Sequence, residues 1–491
     1  MTTLVDKPSS FDSEWRPIPN LLPVTTLASQ GQEDSQSRVR ACAGEASLFS
    51  ANVLVRIVRR MEAYSPYVQT LEQLFLNCTV RLGTDSYNTA LAAALDGQPA
   101  ARLRELITVH DRRSAGAFFT PGHLAKRAVA QICKSVTPKS VVLDPACGAG
   151  DLLIALASTL PIRSTLSGTV DRWSSTFWGL DLYPEFIRAA KLRLMLLAIN
   201  RGVRVEDDFD LVFANAFQSL RVGSGVTDSS AVRGATHILL NPPYSKVIAP
   251  HDCQWASGTI NFAAEFVHFC LSNAQPRTKI SAILPDVLRS GTRYRRWRDY
   301  VLSRCTVESV ELAGLFDAHA DVDVFILTGT VTKTRHSAAL MNWGGPRRSM
   351  GPKISEMFEV AVGAVVPFRD PKRGPLMPYV TPKSSPPWRT IRNVAVRRRF
   401  GGRTFSPPFV VVRRTSRPGD LFRAVPTIIL GEEPIAVENH LLVASPIDGK
   451  ATTCRKLVRS LRDPRTTDWL DKRLRCRHLT TESLAELPML S

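Results

Sequence analysis

Two short stretches of this 491-residue chain bring together residue types that do chemistry. The first is Asn241-Pro242-Pro243-Tyr244, which follows the apolar run Ile238-Leu239-Leu240. Proline has no N–H to continue a ladder, so the pattern predicts a buried strand stopped abruptly at its carboxyl end. In a parallel α/β sheet, that end of the strands is where ligands bind. Asn241 offers a side-chain acceptor and donor, Pro242 a backbone carbonyl on a rigid peptide, and Tyr244 a flat apolar face. Such a set suits a planar ring carrying an exocyclic amino group. A plainer reading stays open beside it, because Asn-Pro commonly starts turns and Pro-Pro commonly forms loops.

The second stretch is Asp144-Pro145-Ala146-Cys147-Gly148-Ala149-Gly150. A strand is expected over 140–144 and a helix over 151–157, with a tight glycine turn between them. Glycines there let the backbone approach a ligand closely. The spacing lacks the third glycine of a dinucleotide fingerprint and the lysine of a P-loop. Asp144 at the strand tip would face an ammonium rather than a phosphate. A second strand, 176–181, ends in Asp181, where doubly wound folds hold ribose hydroxyls. Ribose and an ammonium without phosphate describe S-adenosylmethionine.

With both stretches in view, the chain resembles the amino-methylating DNA methyltransferases. It looks most like the subgroup whose cofactor motifs precede the catalytic motif: modification subunits of type I restriction systems and single-chain adenine methyltransferases. The likeness covers about residues 112–335 well and the rest loosely. It implies an α/β, Rossmann-like S-adenosylmethionine-dependent sheet with an N-terminal helical domain and a basic, mixed C-terminal domain. It assigns Asn241, Pro242 and Tyr244 to catalysis, with Tyr244 and Phe316 stacking on the target base. Thr120, Asp144, Ala146, Gly148, Gly150, Asp181, Leu182 and Asn215 would hold the cofactor. Many relatives have aspartate where Asn215 stands; asparagine still accepts a hydrogen bond, without the charge.

Composition fits a soluble protein of two or three domains: 44% hydrophobic, 22% charged, net charge +19. Residues 346–491 hold 27 basic and 13 acidic side chains, so +14 of that excess lies in the last third. That is the footprint expected for a polyanion, which the resemblance implies is double-stranded DNA, although an arginine-rich proteome would also produce it. Nine cysteines without a CxxC pair point to neither a disulfide framework nor a zinc site. No metal is expected. No apolar run reaches 18 residues and no leader is visible, so the expectation is a cytoplasmic protein without membrane contact.

Along the chain, residues 1–42 are rich in Pro, Ser, Gln and Thr and are expected to be disordered. A helical domain follows over 43–111, where Phe49, Val53, Leu54, Ile57 and Val58, then Val68, Leu71, Leu74 and Phe75, recur at helical spacing. The catalytic domain spans 112–345. Thr120-Pro121 reads as a helix cap with proline at the first position; in the family the matching threonine reaches the cofactor carboxylate. Residues 161–175 read as a loop, 184–200 as a helix, 211–214 as a third strand, and 218–235 as a mobile connection. The arginines from Arg293 to Arg298 read first as a solvated helix face and second as a DNA-backbone contact. Phe316 is equally an aromatic core residue. The basic, target-recognition-like domain is expected over 346–491, with Arg397, Arg398 and Arg399 on DNA. A separate specificity or restriction subunit is an optional partner.

The chemistry follows from adenine N6 being a poor nucleophile. If Asn241 and the Pro242 carbonyl accept its two hydrogens, electron density returns to nitrogen and direct in-line transfer becomes possible. Two other functions compete: amino-methylation of rRNA or of a protein glutamine, and a non-catalytic DNA-binding subunit on the same scaffold. Cytosine N4 is chemically close but more often goes with Ser before Pro-Pro-Tyr.

Overall fold

Val142, Leu143 and Asp144 form the first strand of the central sheet, and all three are buried. A computed structural model of the chain describes residues 61–81, 83–206, 215–332, 343 and 351–490. These all fall within one compact unit, Arg56–Ser491. The expectations for residues 1–42, for the helical pattern from Phe49 to Val58 and for a strand at 211–214 lie outside the described residues.

Seven strands make the main sheet in the order β3-β2-β1-β4-β7-β9-β8. They are β1 (Val142–Asp144), β2 (Phe177–Asp181), β3 (Leu220–Val222), β4 (His237–Leu240), β7 (Lys279–Pro285), β8 (Cys305–Leu315) and β9 (Asp323–Val331). The first five in sheet order run parallel, and β9 and β8 close the edge antiparallel. Val142 pairs with Phe177 on one side and His237 on the other. The connections leave β1 in one direction toward β2 and later return to its other side as β4. That reversal opens a crevice at the carboxyl ends of β1 and β4, the usual ligand position in such sheets.

The helix Pro184–Asn200 covers one face with twelve buried residues. Helices Ser65–Leu76 and Asp85–Leu95 pack on it, and their buried side chains belong to the same core. Tyr64, Phe119 and Phe186 meet edge to face at 4.9–5.8 Å, a geometry that adds to simple area burial.

Two stretches that read as loops are ordered elements. Residues 161–175 contain most of a helix, Leu166–Thr176, whose cap Thr165 accepts the Gly168 N–H at 3.2 Å. Leu166, Val170 and Trp173 face the core, and the polar residues that suggested a loop form the outer face. Residues 218–235 supply β3 and the helix Ser229–Gly234, capped by Asp228. In the sheet, β3 pairs with β2, Gly179 opposite Leu220.

The C-terminal part builds two further sheets. Five strands run β10 (Phe358–Val362), β17 (Leu441–Pro446), β14 (Phe409–Arg413), β15 (Pro426–Ile429), β12 (Thr390–Ile391). Three more run β13 (Arg397–Arg399), β11 (Leu376–Val380), β16 (Ala436–Val437). The helices Ala451–Arg462 and Pro464–Arg473 bury Leu457, Leu461 and Leu470 in the same cluster as β14 and β17 residues. The two helices are separated at Asp463-Pro464, where Asp463 caps the second.

A buried polar junction ties this part to the central sheet. Asp286 follows β7 and is 2% exposed. It accepts from Arg289 Nε at 2.6 Å, Ser290 Oγ at 2.7 Å and the Arg475 N–H at 2.9 Å. Arg289 also donates to the carbonyls of Trp343, Lys472 and Arg473. Arg475 in turn donates to Asp323 at 2.6 Å. None of this is visible in the sequence, because the partners lie up to 189 positions apart.

Candidate active site

Asn241 leaves the carboxyl end of β4 and its amide is held at both ends. Nδ2 donates to Thr120 Oγ1 at 2.8 Å, and Oδ1 accepts from the Tyr244 hydroxyl at 3.0 Å. Tyr244 also lies 3.1 Å from the Ile283 carbonyl of β7. The Thr120 side chain therefore caps no helix. The helix Gly122–Ala130 takes Pro121 as its cap residue, one position later than expected, which leaves the Thr120 hydroxyl for Asn241. Gly116 makes this approach possible: a Cβ on it would stand 2.2 Å from Pro243 Cβ.

Phe316 is 1% exposed and meets Tyr244 edge-on, 5.9 Å between centroids at 79°. In this arrangement its ring is part of the core and braces Tyr244 rather than presenting a face of its own. Of the two readings left open for Phe316, burial favours the core one.

The glycine turn follows β1, the strand paired with β4. Gly148 and Gly150 both adopt positive φ, +51° and +85°, which other residues reach only with strain. At Gly150 a Cβ would stand 3.0 Å from Ala190 of the covering helix. Asp181 at the tip of β2 accepts from the Gly148 N–H at 2.9 Å and the Tyr183 N–H at 3.1 Å, so it braces the turn from below. Leu182 beside it is partly buried against the core, and Ala146 is half-buried on the turn. Asp144 is 1% exposed and receives the Ala146 N–H at 3.1 Å.

Burial raises the Asp144 carboxyl to about 8, helped by the nearby carboxylates of Asp181 and Asp151. Burial likewise raises Asp181 to about 6 against the pull of its backbone hydrogen bonds. Desolvated acids crowded at one strand edge favour a cationic group, whose charge would restore their ionised forms. The residues present thus fit S-adenosylmethionine: acids for an ammonium and for ribose hydroxyls, and a glycine turn that lets a nucleoside lie on the backbone.

Arg193 was missed in the sequence. It is 1% exposed and donates to Asp151 at 2.9 Å, to Ala94 O at 2.8 Å, to Leu95 O at 3.0 Å and to Ala149 O. It locks the glycine turn to the end of the helix Asp85–Leu95. An arginine inside an otherwise apolar helical run was the only available signal.

Asn215 is exposed and helical, just before the turn at 216–219 and after a stretch outside the described residues. Arg397, Arg398 and Arg399 form β13 but do not act as a set. Arg398 is buried, stacks over Tyr379 at 5.6 Å and donates to Asp370 O at 2.6 Å. Only Arg397, paired with Glu433, and Arg399 face outward. In the segment from Arg293 to Arg298, Arg293, Arg295 and Arg296 are exposed, whereas Arg298 is buried and donates to Leu288 O and Gly291 O. Among the described residues no group of His, Cys, Asp and Glu could hold a metal ion, and no helix is long and apolar enough to cross a membrane.

Fold and site together define a Rossmann-like α/β sheet of the methyltransferase class, with an amino-group loop beside an acid-lined cofactor crevice. Residues 103–342 match the family model described as N-6 DNA Methylase. No curated protein matches the chain in sequence. Among solved structures it is similar to the type IIG restriction endonuclease BpuSI (13% identity, 79% of this chain, 60% of that one, TM-score 0.41). It is also similar to the type IIL restriction-modification enzyme MmeI in complex with DNA (12%, 79% and 70%, TM-score 0.47). A third is the type I restriction enzyme EcoKI M protein (17%, 59% and 68%, TM-score 0.32).

Proposed function

We propose that this chain methylates the exocyclic N6 amino group of adenine in double-stranded DNA, using S-adenosylmethionine, as the modification activity of a restriction-modification or phage-defence system. One observation carries the reading. The Asn241 amide is clamped between Thr120 and Tyr244 just past the carboxyl end of β4, and the neighbouring strand β1 ends in the buried acid Asp144.

S-adenosylmethionine, when bound, supplies an electrophilic methyl group on a sulfonium. The protein's part is orientation and polarisation. Asp144 takes an ammonium and Asp181 takes ribose hydroxyls, while the positive-φ turn around Gly148 admits the rest. Thr120 fixes the Asn241 amide so that its oxygen points toward the Tyr244 side. That oxygen and the Pro242 carbonyl accept the hydrogens of the target amine, which returns density to nitrogen. The base must leave the duplex to reach them, and the Tyr244 ring offsets part of that cost by stacking.

Residues 346–491 serve as the target-holding part in this reading, with their charge excess meeting phosphate. A separate specificity or restriction subunit is compatible with it. The experiment is direct-read mapping of modified bases on DNA from cells expressing the protein. N6-methyladenine at a defined sequence is expected; N4-methylcytosine, or unmodified DNA together with methylated rRNA or protein, overturns the assignment.

A further inference from the structure

A second cleft opens beside the catalytic loop. It has a volume of about 490 Å³ and is lined by Trp255, Ser257, Thr292, Arg293, Arg295 and Arg296, with no carboxylate in its wall. The ribbon of β5 (Lys246–Ile248) and β6 (Thr259–Asn261) follows Tyr244 immediately, and the loop between its strands supplies Trp255 and Ser257 to the wall. Asn261 joins the two sites. Its Nδ2 donates to the Tyr244 carbonyl at 3.2 Å, and its backbone N–H donates to Tyr294 Oη at 2.9 Å.

Tyr294 is the cap residue of the ten-residue helix Arg295–Arg304. Trp297 and Arg298 are buried on the inner side of that helix, which turns Arg295 and Arg296 outward at its positive end. Arg293 is held in place by donating to the Ser257 carbonyl. Arg295 and Arg296 form no ion pair with a described residue, and both are exposed. Three guanidinium groups, a helix amino end and free hydroxyls on Ser257 and Thr292 make an anion site of extended shape.

We propose that this cleft holds the sugar–phosphate backbone of the DNA strand whose base is delivered to Asn241. The inference rests on the proposed reading of the chain as a DNA methyltransferase. It adds a backbone clamp on the catalytic part itself, separate from the basic C-terminal part. A clamp one loop away from Tyr244 would fix the strand on which the base pivots.

The test is a salt titration of duplex DNA binding by the full chain, comparing wild type with the double variant Arg295→Glu/Arg296→Glu. A control of equal charge change, Lys134→Glu/Arg233→Glu, uses exposed residues on the segments leading into the amino ends of β1 and β4. S-adenosylmethionine binding by calorimetry verifies that each variant is folded. Each lost phosphate contact lowers the slope of log K against log salt by about 0.9. The cleft variant should therefore show a slope shallower by about 2 and a parallel fall in methyl incorporation, with the control close to wild type. An unchanged slope in the cleft variant, or an equal loss in both variants, overturns the clamp. A wild type that binds cofactor but shows no salt-dependent DNA binding overturns the DNA reading instead.

Discussion

The Tyr244 hydroxyl stands 3.0 Å from Asn241 Oδ1 and 3.1 Å from the Ile283 carbonyl, so one proton has two acceptors. When the proton turns to Ile283, the Asn241 oxygen is released to accept from an incoming amine. Tyr244 thus keeps the amide satisfied without a substrate and yields it when one arrives. Asn241→Ala should lower methyl transfer on the order of 100-fold or more while leaving cofactor affinity within a few-fold. Tyr244→Phe keeps the ring and should retain most activity, whereas Tyr244→Ala also loses stacking, worth about 1–3 kcal/mol. Single-turnover methylation separates the three; equal losses in Phe and Ala variants would rule out the stacking role.

Asp144 gives a pH signature. Its carboxyl is raised by burial to about 8 without a cation beside it. A raised acid favours the protonated folded state, so its contribution to stability is present at low pH and lost as pH rises through about 8. Binding an ammonium requires the ionised form, so cofactor affinity should rise between pH 6 and 8 with proton release. Calorimetry in buffers of different ionisation enthalpy measures that release, and Asp144→Asn should abolish it.

Asp181→Ala should weaken cofactor binding by about 1.5–3 kcal/mol, the scale of hydrogen bonds to a charged group. Because Asp181 also receives the Gly148 and Tyr183 N–H groups, the glycine turn should loosen. Hydrogen exchange at Gly148 reports that loosening separately from the ribose contact. An unchanged dissociation constant would remove the ribose role.

Arg193 and Asp151 form a buried pair. Replacing Arg193 by Met strands the Asp151 carboxylate and three carbonyls and should cost about 3–5 kcal/mol. Thermal melts check this; the double variant Arg193→Met/Asp151→Asn should recover part of the loss.

The three arginines of β13 should separate in the same assays. Arg398→Ala removes a buried stack on Tyr379 and should lower stability by about 1–3 kcal/mol. Arg397→Ala and Arg399→Ala should leave the melt unchanged and flatten the salt dependence of DNA binding. A stable Arg398→Ala variant would contradict its buried role.

Local signals carried far in this chain where chemistry demanded them. Asp144, the glycine turn, Asp181 and the Asn241 loop all stand at the expected strand ends, because prolines and glycines punctuate them unambiguously. The helix Leu166–Thr176 was hidden by its polar outer face, and β3 by a short, serine-flanked sequence. Thr120 reads as a cap because threonine before proline usually is one; its engagement with Asn241 depends on a contact 121 positions away. Arg193, Asp286 and Arg289 were illegible for the same reason. Buried charge is recognisable only from the partners that surround it.

On the proposed reading, in which residues 346–491 hold the target, the Asp286 junction bounds the segment that can be exchanged without disturbing the catalytic sheet. Its acceptors and donors reach residues 472–475, past the strands of the C-terminal part. A recombination event that replaces everything after residue 346 would leave Asp286 and Arg289 facing a foreign backbone, next to the strand beside the catalytic one. A crossover that ends before residue 471 would carry in a new reading surface and keep the native latch. Chimeras between related enzymes should therefore stay active when the donor segment stops short of that latch and fail when it includes it.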